Sequence, residues 1–109
     1  MIFEVEFSEQ AEADLRGIYE YVAFDIGVKD NADSLIGRIE NVVYDLEKYP
    51  KRGRPYDKEP WKSRGLRFKI VGNYNIYYLI DEENAIVHII RIMYSGRNTD
   101  KELETTIVE

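Results

Sequence analysis

The chain has 109 residues, 44% hydrophobic and 13% aromatic, with 21 Asp and Glu against 15 Lys and Arg and no Cys. That length suits one domain with one core, the apolar content lies far above that of disordered chains, and the missing Cys excludes disulfides and thiolate metal sites. The charge is segregated: residues 1 to 47 carry 12 acids and three bases, residues 48 to 69 nine bases and two acids, and residues 70 to 109 seven acids and three bases.

IFEVEF, residues 2 to 7, alternates Phe3, Val5 and Phe7 with Glu4 and Glu6, which predicts a half-buried strand. Ser8 then caps a helix near residues 9 to 25: Glu9 and Glu12 suit its first turn, and Ala11, Leu15, Ile18 and Val22 form its apolar stripe. Gly27 closes it. A second stripe, Ala32, Leu35, Ile39, Val42 and Leu46, predicts a helix near 30 to 48 that Pro50 stops. The short connection makes the two an antiparallel hairpin. Residues 49 to 65 hold Pro50, Gly53, Pro55, Pro60 and Gly65 and read as loop.

LRFKIV (66 to 71), YNIYYLI (74 to 80) and AIVHIIRIMY (85 to 94) are rich in β-branched and aromatic residues. The tight connections at Gly72-Asn73 and Asp81 to Asn84 make them a meander. Its last strand is apolar on both faces, hence central. A polar tail with one helical turn, Thr99 to Glu104, ends the chain. The expected fold class is α+β: one domain over residues 1 to 109, with the N-terminal strand and helical hairpin on one face of a four-stranded antiparallel sheet. The opposite face is expected to stay partly uncovered. Phe3, Val5, Leu15, Ile18, Val22, Leu35, Ile39, Val42, Leu46, Phe68 and Ile70 should form the core.

His88 is the only histidine, so a His-dependent metal cluster is ruled out and no cofactor is expected. In its apolar setting His88 reads as a packed structural residue. Glu4/Glu6 and Glu82/Glu83 read as solubilising surface. The basic segment carries more information, because Arg67 and Lys69 are two apart on a strand and project to one face. With Phe68 and Ile70 beneath the helices, both cations stand on the open face. Asn75, Tyr77 and Arg91 are candidates to join them there, with Arg97 just beyond. Converging guanidinium and ammonium groups would bind phosphates or carboxylates. The plainer alternative makes Arg67 and Lys69 a solvated face and Arg91 an internal ion-pair partner. MIFEVEFSEQ lacks the pattern of a signal peptide and no apolar run is long enough to span a bilayer, so a cytoplasmic protein without membrane contact is expected.

YPKRGRP after a helical hairpin, then GLRFKIVGNYNIYYLI, then IIRIMYSGRN, resembles the RelE/ParE superfamily of toxins from bacterial type II toxin–antitoxin modules. The resemblance runs from the first strand to residue 98 and implies the same fold, with a site on the concave sheet face. Its RelE-like branch cleaves mRNA on the translating ribosome. On that reading Arg67, Lys69 and Arg97 would be catalytic, and Tyr94 could stand in as proton donor. Asn75 replaces an expected arginine, and Leu103 falls where a catalytic tyrosine or histidine would lie. The ParE-like branch poisons DNA gyrase, and the GRP loop with Arg91 and Arg97 matches it better.

Either branch implies a cognate acidic antitoxin and a toxin–antitoxin hetero-oligomer. Arg54, Lys62, Arg64, Arg67, Lys69, Asn75, Tyr77, Arg91 and Arg97 would contact the antitoxin or target. A non-toxic relic that only binds antitoxin and represses its operon is a third possibility.

Overall fold

The computed structural model describes residues 2–27, 29–96 and 98–108. Strand β1 spans Glu4–Phe7, helix α1 Glu9–Glu20, α2 Lys29–Lys48, β2 Arg54–Pro55, β3 Arg67–Val71, β4 Tyr74–Asp81, β5 Ile86–Tyr94 and α3 Thr99–Glu104. The Ser8 hydroxyl accepts from the Ala11 N–H and so caps α1. Beyond Glu20 the helix widens into a π turn, Tyr21–Asp25, where the Ile26 N–H reaches back to the Tyr21 carbonyl. Gly27, at φ 81°, turns the chain towards α2.

The strands are ordered β1-β5-β4-β3-β2, so β5 is interior, as its two apolar faces require. Two expectations change. The sheet has five strands, because Arg54 and Pro55 pair with Phe68 and Arg67 at the edge. Pro55, which has no N–H to offer, keeps that edge strand short. And β1 runs parallel to β5, with Glu4 opposite Ile86 and Phe7 opposite Ile89. Four reversals of direction separate the two strands, an even number, so they must point the same way.

Helix α1 carries on in the direction of β1. Where β1 ends, the Ser8 N–H bonds the Ile89 carbonyl, the Ser8 hydroxyl donates to the Ile90 carbonyl, and Asp14 accepts from the Ile92 N–H. The helix thereby satisfies the edge of β5 that no strand covers.

Each sheet face has its own core. Under the helices, Ala11, Ile39 and Leu46 pack on Val71, Ile76, Tyr78, Val87, Ile89 and Ile92, with Phe3, Val5, Phe7, Leu15, Ile18, Leu35 and Val42 partly buried around them. Val22, on the π turn, is half-buried. The other face is closed by the loop between β2 and β3, which supplies Tyr56, Trp61 and Leu66, and by Leu103 of α3. These cover Tyr77, Ile90 and Met93. The face expected to be open is therefore largely roofed.

The assignment of β3 side chains to faces is inverted. Arg67 and Lys69 stand opposite Tyr78 and Ile76, which point to the helices, and Val71 completes that row, buried. Phe68 packs in the second core and Ile70 is half exposed. The alternation of the strand was sound, but two cores compete for its apolar row, and a shift of one residue exchanges the faces.

Candidate functional site

Pinning the GRP loop to the sheet depends on Tyr78, a fully buried tyrosine of β4. Its hydroxyl donates to the Pro50 carbonyl at 2.6 Å and accepts from the Gly53 N–H at 2.9 Å. The fit requires Gly53, since a Cβ there would lie 2.2 Å from the Tyr78 oxygen. Burial pushes the Tyr78 phenol above its ordinary pKa, against the opposing pull of the Gly53 N–H and of Arg67. The Arg67 guanidinium binds the same loop, donating from Nη1 to the carbonyls of Lys51 and Gly53 at 3.1 and 2.8 Å. Arg67 is thus a loop anchor on the helix side of the sheet.

Lys69 shares that face and is half-buried, with no ion pair among the described residues. Arg91 is buried on the interior strand. Asp14 holds it bidentately, with Nε to Oδ2 at 2.7 Å and Nη2 to Oδ1 at 2.9 Å, while Nη1 reaches the Thr106 hydroxyl at 3.4 Å. The Asp14 hydrogen bond, more than its charge, raises the Arg91 pKa against the effect of burial. Of the two readings of Arg91, internal ion pairing is the one realised.

Asn75 and Tyr77 lie on the opposite face, joined by an Asn75 Nδ2 to Tyr77 hydroxyl bond of 3.1 Å. Tyr77 is buried, with the rings of Phe68 and Tyr56 at 5.8 and 6.0 Å. Tyr94 is half exposed at the end of β5, its ring edge-on to Tyr74 at 5.9 Å. Arg97 lies outside the described residues. The expected constellation is consequently divided: Arg67 and Lys69 on one face, Asn75, Tyr77 and Arg91 on the other.

Several cations of the basic segment are neutralised by acids from elsewhere in the chain. Lys51 pairs with Glu82 at 2.8 Å, Arg52 with Asp45 at 3.2 Å while lying over the Tyr49 ring, and Lys58 with Asp100. Asp100 also accepts from the Tyr56 hydroxyl, which ties α3 to the roof of the second core. Exposed without an acidic partner among the described residues are Lys48, which lies over the Tyr44 ring, and Arg54, Lys62 and Arg64, the last stacked over Trp61 at 4.6 Å. Arg54 stands opposite Phe68 and so faces the same side as Trp61 and Tyr56. A stacked guanidinium is pre-oriented and loses little freedom on binding an anion.

Sequence reasoning missed Tyr78, Asp14 and Asp100. One signal for the roof was present: Tyr56, Trp61 and Leu66 recur every five residues in a loop otherwise too polar to need them.

Residues 5–99 match the family described as ParE toxin of type II toxin-antitoxin system, parDE. No curated protein gives a match. Among solved structures, the chain resembles one in the toxin–antitoxin complex RelBE2 of Mycobacterium tuberculosis, with 23% identity, TM-score 0.61, and 86% of this chain and 99% of that one covered. A chain of the chromosomal ParDE system from P. aeruginosa shares 21% identity at TM-score 0.67, covering 85% and 96%. The archaeal RelE–RelB complex of Pyrococcus horikoshii gives 16% identity at TM-score 0.61, covering 89% and 99%. At such identities these likenesses establish the shared fold.

Proposed function

The chain belongs to the ParE toxin family of type II toxin–antitoxin systems, and from that membership we propose that it halts bacterial growth by binding DNA gyrase, without chemistry of its own, until a cognate antitoxin neutralises it. The observation that carries this reading is the state of Arg67 and of the position held by Asn75. A ribonuclease working by charge stabilisation needs cations free and aimed at one developing oxyanion. Here Arg67, one of the cations that reading needs, is spent on the carbonyls of Lys51 and Gly53, and Asn75, which stands where a further arginine is expected, lies on the opposite face of the sheet. Such an arrangement suits a scaffold that binds better than one that cleaves.

The antitoxin contact falls on Arg54, Lys62 and Arg64, an exposed basic surface that takes an acidic, disordered tail in a cytoplasmic hetero-oligomer. Inducing the protein in bacteria and following labelled thymidine against labelled amino acid tests the target. Early loss of thymidine incorporation is expected, together with inhibition of supercoiling by purified gyrase. Early loss of amino-acid incorporation, with codon-phased cuts in translated mRNA, would establish the nuclease reading instead. Unimpaired growth would make the chain a relic.

A further inference from the structure

Of the nine large apolar side chains exposed among the described residues, four gather where the end of α1 meets the end of the sheet. The stripe Ala11, Leu15, Ile18 and Val22 reaches Ile26 by one more step of four, and a regular α-helix would keep that residue turned towards the sheet. The π turn prevents this. With the Ile26 N–H bonded to the Tyr21 carbonyl at 3.0 Å, five residues make the turn, and Tyr21, Phe24 and Ile26 come out 52, 72 and 53% exposed. Such single π turns inside α-helices occur frequently at functional positions.

At the end of the sheet, Tyr74 and Tyr94 stand opposite each other in the row of Ile76 and Ile92, on the helix side, with their rings edge-on. Tyr94 is 48% exposed, and its ring lies over Gly96, where a Cβ would come within 2.3 Å of Cε2. Tyr74 neighbours both Tyr94 and Tyr21: burial, and after it these two phenols, raise its pKa. The patch is therefore continuous from the π turn to the end of β5.

Its size and its rim say what would cover it. At about 200 Å² per large side chain the four exposed residues present roughly 450 Å², as much as the largest patch on a typical monomer. Set against its own copy, the patch would bury about 900 Å² from the two sides, and the rim raises this to about 1,200 Å², where specific interfaces begin. The rim carries both signs, with Glu20, Asp25 and Asp30 against Lys29 and Arg38, all exposed and without an ion pair among the described residues. Arg38 reaches the β3–β4 turn, its Nη1 3.4 Å from where a Gly72 Cβ would lie. A partner of one strong sign would meet like charges here, whereas a second copy brings the complement of each.

We propose that two copies of the chain associate through this patch about a two-fold axis, Phe24 and Ile26 of each seating against Tyr21 and Tyr94 of the other. Lys29 and Arg38 of one copy then come beside Glu20 and Asp25 of the other, and the contact closes at the dimer. Arg54, Lys62 and Arg64 lie on the other side of the sheet and stay free in the pair. An interface of this size associates in the micromolar range. Dimerisation of this kind depends on neither gyrase nor antitoxin.

Sedimentation velocity of the full-length chain between about 1 and 100 μM tests it. The weight-average mass should rise from that of one chain towards that of two and no further. Phe24→Asp and, separately, Ile26→Lys should each weaken association at least tenfold, while circular dichroism and the thermal midpoint show the fold retained. Two charge variants identify the occupant as a second copy: Glu20→Lys with Asp25→Lys, and Lys29→Glu with Arg38→Glu, should each self-associate at least fivefold more weakly than the wild type, and mixing the two should restore dimers. A chain that stays monomeric throughout, association that runs past the dimer, indifference to both Phe24→Asp and Ile26→Lys, or no dimers on mixing would overturn the proposal.

Discussion

Asp14→Ala is the substitution the fold should feel most. The Asp14 and Arg91 side chains are 14% and 9% exposed, and the Asp14 carboxylate accepts three hydrogen bonds, from Arg91 Nε, Arg91 Nη2 and the Ile92 N–H. Removing it leaves a buried guanidinium held only by Thr106, and a backbone donor orphaned where β1 has run out. Breaking one side of a buried pair costs about 3–5 kcal/mol, and the orphaned N–H lies within the same change, so about 4 kcal/mol is expected. Against a total of about 5–15 kcal/mol for a domain of this size, that is a large share. At about 4 °C per kcal/mol it lowers the thermal midpoint by roughly 15 °C. Guanidinium chloride denaturation followed by circular dichroism measures it directly. Adding Arg91→Met should recover much of the loss by removing the stranded charge. A loss below about 1 kcal/mol, the value of a surface pair, would refute the claim that this ion pair is structural.

Gly53→Ala should cost about 2–3 kcal/mol by prising the Pro50–Gly53 loop off the Tyr78 hydroxyl, read as a fall in the denaturation midpoint; a neutral outcome would mean the loop floats. Burial raises the Tyr78 phenol, so its contribution to stability is complete below the unfolded value of about 10 and is lost as pH climbs past it. The urea midpoint should therefore drop between about pH 9 and 11, and drop less in Tyr78→Phe. Reversing Arg54, Lys62 and Arg64 to Glu should slow antitoxin association several-fold at low salt, and an unchanged on-rate there would sink the steering argument. Primer extension on a translated message should show no codon-phased cuts with either the wild type or Asn75→Arg, because Asn75 lies across the sheet from Arg67 and Lys69.

The helical hairpin was legible because its stripes are regular and its stops are chemical: Ser8 before α1, Gly27 after it, Pro50 after α2. The apolar alternation of β3 was equally legible, yet it could not say which face was which. A strand with one apolar row has a definite inside only where a protein has a single core. β5 offered the warning, since Val87 and Ile89 against Ile90 and Met93 already require a core on each side. An internal ion pair for Arg91 was one of two readings, but its partner Asp14 was not legible: 77 residues separate the two, and only the collinearity of β1 and α1 brings Asp14 alongside β5. The candidate site read from the sequence assumed one open face, so its members came apart when that face proved to be roofed.

The segregated charge finds a physical reading in this arrangement. The acids that quench Lys51, Arg52 and Lys58 come from the β4–β5 turn, from α2 and from α3, so part of the basic segment serves to hold distant pieces of the chain together. Arg67 does the same through carbonyls. What remains outward, besides Lys48 at the end of α2, is a small cationic surface at Arg54, Lys62 and Arg64, on the side of the sheet opposite the helices. The outer rim of the hairpin instead carries Glu12, Glu40 and Glu47, which make no ion pair among the described residues. A uniformly acidic partner could satisfy the first surface and would be repelled by the second.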